Sequence, residues 1–482
     1  MPEPTPLPRC SPEAQGLSSR AVLSWLDALA ADDLELHSFM LLRADHVIAE
    51  GWWSPYSAAR PHHLYSLSKS FTSTAAGCLV ADGRLDVDDR VVDHFPESVP
   101  DVVGDHLAAM RVRDLLTMRT GHARDVTDAL HDAGDGDWVK TFLAQTVEHT
   151  PGTHFVYSSA ATFMLSALVQ RLTGTTLLAF LRERLAPLNF GPAHWIENAR
   201  GVNLGGWGLH LTTEGIVRFG QLYLNRGHWQ GEQVLPAAWV DEATRAHVPP
   251  GDEPESDGGD SDWAQGYGYQ FWRCRHGAYR ADGAFGQFCV VMPRPQAVLA
   301  VTAGVGNMQR VLDHTWAHLL AGMGEGPLPT DAASVMLRER CAALSLAVPD
   351  IGASWHGTPR DETYRLGANE EGWTTAQLVT DATSCRLTIT GPDVQHGIDF
   401  GLMAWRENQI DLWGGQEQVL ARAGRQPDDT LALTVLLCGP GARWEVTAQH
   451  DTLTVYLAPP HHGEGRTVVA RLTPAGEEHS QR

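Results

Sequence analysis

"HLYSLSKSFTSTAAGCLVADGRL", residues 63–85, reads as a mostly apolar, small-residue helix that stops near Gly83. It carries Lys69 three residues after Ser66. The chain has 36 basic residues, yet only Lys69 and Lys140 are lysines. On a helix, side chains at i and i+3 share a face. A serine hydroxyl is a poor nucleophile until a neighbouring base takes its proton. A lysine amine can be that base when burial lowers its pKa; arginine stays protonated and cannot. S-x-x-K is only two fixed residues, and a solvated helix lysine is its commonest explanation. Here lysines are scarce and the flanks are small or apolar rather than charged. Ser66 and Lys69 are therefore read as a nucleophile and its base.

Upstream, "GLSSRAVLSWLDALAADD" has Val22, Trp25, Leu26 and Leu29 at helical spacing behind a serine-rich start. "LHSFMLLRADHVIAEGWW" reads as a hairpin turning at Ala44-Asp45. Downstream the middle is largely helical. Residues 251–262, "GDEPESDGGDSD", hold six acidic residues and read as a solvated loop. Strands follow in "YGYQFWRCRHGAYRADGAFGQFCVVMPRPQAVLAVTAG", and "MQRVLDHTWAHLLAGM" closes this part as a helix. Strands at both ends with helices between give an α/β arrangement in which the terminal regions share one sheet.

"GEGPLPTDAAS" (324–334) is a linker candidate. Beyond it, runs such as "TAQLVTD", "SCRLTITG", "TLALTVLLCG", "RWEVTAQH" and "TLTVYLAP" recur at strand length. They predict a separate antiparallel β domain, a sandwich or barrel. The expected domains are 1–325 and a β-rich 335–482.

Composition narrows the function classes. The formal charge of −22 argues against nucleic-acid binding and against anionic membranes. The first residues show no signal-peptide pattern, and no apolar run approaches 18 residues. Seven scattered cysteines form neither a disulfide framework nor a metal motif. A cytoplasmic protein with reduced thiols is expected. The pairs His62-His63 and His461-His462 lack partners at metal spacing and read as surface histidines.

Several blocks together resemble the serine β-lactamase-like hydrolases, a superfamily that includes penicillin-binding enzymes, esterases and 6-aminohexanoate-dimer hydrolases. "LYSLSKSFTSTAAGCLVADGRLDVDDRV" is similar to its nucleophile helix, and "VRDLLTMRTGH" to its "LLTHTSG" segment. "PGTHFVYSSAATFMLSALVQRLTG" is similar to its second motif block, and "GGWGLHLTTEGIVRFGQLYLNRGHWQGEQVLPAAWV" to a later one. The likeness covers about the first 325 residues. It implies an antiparallel sheet flanked by helices, an all-helical subdomain, and no metal or cofactor.

The resemblance also implies roles. The usual Tyr-x-Asn motif is here Tyr157-Ser158-Ser159. Tyr157 would share a proton with Lys69 and Ser66 and pass it to the leaving group. Ser159 stands where penicillin-type enzymes carry an amide for the substrate, which lowers the expectation of β-lactamase action; the dimer hydrolases resemble this chain in carrying serine there. The third motif, usually Lys-Thr-Gly or a His or Trp variant, falls in "YRADGAFGQF", with Ala281-Asp282-Gly283 in register. Gly283 lets the strand approach the substrate. The N–H groups of Ala284 and Ser66 form the expected oxyanion hole. The basic first residue is absent. Arg280 and His276 lie nearby, and the sequence leaves open whether they face the site or solvent. Trp207 is a candidate for the pocket wall, with a core position as the alternative.

These readings predict a serine hydrolase using an acyl-enzyme on a small ester or linear amide. The alternatives are β-lactamase or D,D-peptidase activity, or a non-catalytic ligand-binding or interaction protein. The expected partner is a small-molecule substrate; a homo-oligomer stays open.

Overall fold

The structure is a computed structural model that describes residues 5–250, 260–352, 355, 359–392, 394–412, 415–438, 442–459 and 465–472. Most of the acidic loop (251–259) and His461-His462 lie outside the described residues. Two compact units form, one essentially residues 1–344 and the other essentially 345–482.

In the first unit a six-stranded antiparallel sheet runs in the order His46–Trp52, Leu36–Arg43, Ala297–Ala303, Gln287–Met292, Tyr279–Gly283 and Trp272–Arg273. Strands from both ends of this unit thus share a sheet, as the sequence pattern predicts. The first hairpin turns at Ala44 and Asp45, both left-handed (φ 44° and 64°). Antiparallel pairing at Leu36–Arg43 joins residues about 260 positions apart in sequence. The first unit continues past the 324–334 stretch because the helix Ala332–Ala342 packs on Ser19–Ala31 and on the strand His46–Trp52.

The helix Ser68–Ala81 lies against Ser159–Thr173 and Leu177–Arg184. From Ser68 to Leu79 every residue is buried, so this helix has no solvated face. Its small residues make that possible. A Cβ on Gly77 would lie 2.3 Å from the Trp239 ring, closer than any packed interior tolerates. Phe71 is its largest anchor, stacked on Phe219 with centroids 3.8 Å apart.

The second unit is a nearly closed antiparallel barrel. Its sheet runs from Gln395–Asp399 through Arg360–Leu366 and Arg466–Leu472 to Gly415–Arg425, where Arg406–Leu412 pairs. Arg406–Leu412 also approaches Gln395–Asp399. Its inner face carries Tyr364, Leu378, Leu387, Val435, Val446 and Val455, all buried. Inward residues alternate along each strand. Among the described residues no single helix is long and apolar enough to cross a membrane.

Candidate active site

Ser66 and Lys69 sit where the chain changes geometry. Tyr65–Leu67 is a single 3-10 turn, and the α-helix begins at Ser68. Lys69 therefore points back across the junction to Ser66. Its Nζ lies 2.9 Å from Ser66 Oγ, 3.0 Å from Ser159 Oγ and 2.8 Å from the Gly206 carbonyl. Ser66 is half-buried, whereas Lys69 is 1% exposed. Burial lowers the Lys69 pKa to about 7, with Asp125 and Asp282 opposing the shift. The amine can thus exist in its neutral, proton-accepting form near neutral pH.

Tyr157 and Ser159 arrive on the segment leading into the helix Ser159–Thr173. Ser158 caps that helix: its Oγ accepts from Ala161 N and donates to Asp125 Oδ1 at 2.6 Å. Capping directs Ser159 at Lys69 and leaves Tyr157 beside it, with Nζ 4.9 Å from the Tyr157 ring centroid. Trp272 stacks on Tyr157 at 5.7 Å and fixes the ring from behind. A shorter hydroxyl thus stands at the second-motif position and contacts the lysine directly.

The strand Tyr279–Gly283 closes the other side. A Cβ on Gly283 would lie 2.1 Å from the Leu64 carbonyl oxygen and 3.0 Å from Ser66 N. The approach of this strand to the turn holding Ser66 therefore requires glycine here. Ala284 follows at an exposed position. Phe285, next along, has a left-handed backbone (φ 64°), as does Tyr65 (φ 47°), and the two rings meet edge to face at 5.2 Å.

Two expected site residues lie elsewhere than on an open wall. Arg280 is fully buried, with its Nε on Asp282 Oδ2 at 2.8 Å and its Nη1 on the Asp262 carbonyl at 2.9 Å. It sits behind the site and not in solvent. Trp207 is half-buried, stacked on Trp138 at 6.1 Å and near His131 at 5.4 Å. It is tied to the site through its neighbour Gly206, whose carbonyl holds Lys69.

The histidine pair 62–63 corrects a sequence expectation. Read as surface residues, His62 and His63 are 4% and 7% exposed. They form a short strand paired with Leu209–Leu211, a partner that no local pattern reveals. His62 Nε2 meets His37 Nδ1 at 2.8 Å, and His63 Nε2 accepts from Gly208 N. Burial, then neighbouring histidines, push both pKa values well down. Sequence reading also missed Asp125 and the contribution of Asp282. Asp282 had one signal: it lies two residues from Arg280, hence on the same strand face.

Comparison with known proteins gives four likenesses. Residues 37–322 match the family model described as Beta-lactamase. A curated relative, the 6-aminohexanoate-dimer hydrolase of Paenarthrobacter ureafaciens, is 30% identical over 241 residues, covering 45% of this chain and 61% of that protein. The chain thus spans less than two thirds of this relative. Among solved structures, EstCE1, a hydrolase with promiscuous acyltransferase activity, is 16% identical, with a TM-score of 0.52 over 64% of this chain and 100% of that one. The octameric penicillin-binding protein homologue of Pyrococcus abyssi is 15% identical, with a TM-score of 0.50 over 94% and 99%. The structural likenesses support the fold.

Proposed function

Because the chain belongs to the β-lactamase family, whose model takes in more than half of it, we propose that it is a serine hydrolase acting through an acyl-enzyme on small esters or linear amides. The observation that carries this reading is the 2.9 Å contact between Ser66 Oγ and a fully buried Lys69 amine.

The neutral amine of Lys69 accepts the Ser66 proton as Oγ attacks the substrate carbonyl. The resulting oxyanion is held by the N–H groups of Ser66 and Ala284. Tyr157 gives its proton to the leaving alkoxide or amine and is reprotonated by Lys69, so the carbonyl re-forms on Ser66 and the amine is neutral again. Water then gives a proton to Lys69 as it attacks the acyl ester, and that proton returns to Ser66 Oγ as the acid leaves. Two features favour linear substrates over penicillins. Ser159 replaces an amide, and the third motif has Ala281 where the family places a base to meet a substrate carboxylate. The similarity to a dimer hydrolase of 6-aminohexanoate points the same way.

A fluorophosphonate probe tests the chemistry. It should label the wild type and not Ser66→Ala; an unlabelled wild type would refute the proposal. Hydrolysis of p-nitrophenyl butyrate set against nitrocefin tests the substrate class. Fast nitrocefin turnover without ester cleavage would reverse the assignment.

A further inference from the structure

The oxyanion of the proposed mechanism rests on two backbone N–H groups, those of Ser66 and Ala284, which belong to separate segments of the chain. Such donors act at about 2.7–3.1 Å from the charge they meet, so one segment has to be fixed against the other. Neither segment is regular there. Tyr65–Leu67 is one 3-10 turn, and residues 284–286 are the loop between the paired Gly283 and Gln287. Each holds a bulky residue in the left-handed region: Tyr65 (φ 47°) directly before Ser66, and Phe285 (φ 64°) directly after Ala284. Backbone of that kind persists where the surroundings enforce it, and it clusters at functional sites.

The enforcing contacts are all in place. The Tyr65 and Phe285 rings meet edge to face, with centroids 5.2 Å apart and planes at 77°, a geometry that aromatic pairs prefer. Tyr65 also lies against His63 at 4.2 Å, and His63 stacks on His210 at 4.8 Å. His63 and His210 are paired neighbours in the small sheet, so this series of rings is anchored there. The loop is tied from its other side by Gln287, which is fully buried. Its Nε2 donates to the carbonyls of Ala284 and Ala303 at 3.0 and 2.7 Å, and its Oε1 accepts from Ala303 N at 3.1 Å. Gly283 closes the gap between the segments: a Cβ there would lie 3.0 Å from both Ser66 N and Tyr65 Cβ. Resting on the hydrolase reading, we infer that Tyr65 and Phe285 are positioning residues. Their ring contact holds the Ser66 and Ala284 N–H groups at the spacing an oxyanion needs.

Kinetics on p-nitrophenyl acetate and butyrate test this. Phe285→Leu deletes the ring; Phe285→Gly deletes it and also relieves the left-handed backbone, which guards against a variant that fails to fold. Each should lower kcat by about 10–100-fold on the acetate as well as the butyrate, with KM within about twofold. Tyr65→Leu should do the same, and Tyr65→Phe, which keeps the ring, should recover most of the loss. Tyr65→Leu combined with Phe285→Leu should lose no more than the larger single loss, because both changes delete one contact. Unchanged kcat in folded Phe285→Gly overturns the inference. So does a loss confined to KM or to the longer ester, a Tyr65→Phe no better than Tyr65→Leu, or single losses that multiply in the double variant. Fluorophosphonate labelling separates the two levels. A labelled wild type whose ring variants keep full kcat sinks this inference alone, whereas an unlabelled wild type sinks the hydrolase reading and this inference with it.

Discussion

Lys69 Nζ and Ser66 Oγ lie 2.9 Å apart, and the other two hydrogen-bond acceptors at Nζ, Ser159 Oγ and the Gly206 carbonyl, are uncharged. All three accept from the amine, so it is burial, and not these contacts, that pushes the Lys69 pKa down to about 7. Replacing Lys69 by arginine restores a permanent cation. Lys69→Arg should reduce kcat/KM on p-nitrophenyl butyrate by about 10²–10⁴-fold, the usual worth of a positioned base, while circular dichroism shows a folded protein. Activity near that of wild type would remove lysine from the mechanism.

Lys69 at about 7 also fixes the pH dependence. In the proposed mechanism the deprotonated amine is the active form, so kcat/KM should rise with pH through about 7 and then level.

The same group gives a stability signature. Its folded pKa lies below the ordinary lysine value, so between pH 7 and 10 the unfolded chain binds more protons at this position. Stability contributed through Lys69 therefore increases with pH over that window. Urea unfolding of wild type and Lys69→Met should show the difference between them moving in favour of wild type from pH 7 to pH 10. A constant difference would contradict the burial argument.

Gly283→Ala forces a methyl group against the Leu64 carbonyl and Ser66 N. Those are backbone atoms and cannot rotate away. Displacing the turn should lower kcat/KM by about 100-fold or more and cost about 1–3 kcal/mol of stability. At Gly104 a Cβ meets nothing within 4 Å, so Gly104→Ala should leave kcat/KM unchanged and serves as the comparison.

His62 and His63 predict acid sensitivity. Their folded pKa values are well below 6.5, so the unfolded state takes up protons first as pH falls. Stability should decline below about pH 6.5. His63→Gln, which keeps a polar group at the Gly208 N–H, should flatten that decline between pH 6.5 and 5 in a thermal-melt series.

Much of this site could be read without coordinates because its parts are local. Lys69 stood out against a chain of arginines, and both Ser66 and Lys69 belong to one helix junction. The hairpin at Ala44-Asp45 and the barrel strands followed from short-range alternation. What escaped depends on distant pairing. His62-His63 is buried only because Leu209–Leu211 covers it. Arg280 could have faced either way until Trp272 and Asp262 were placed around it. The strands Arg360–Leu366 and Gly415–Arg425 carry charged and small residues that weakened their apolar pattern, and they too went unread.

Tyr65 and Phe285 both hold left-handed backbones and touch at the rim beside Ser66. Such conformations cost an ordinary residue about 1–3 kcal/mol each and persist only where packing enforces them. Selection for a sturdier protein would find an easy gain by placing glycine at either position. The same change would delete an aromatic wall next to Ser66. Durability and substrate discrimination therefore pull against each other at these two positions.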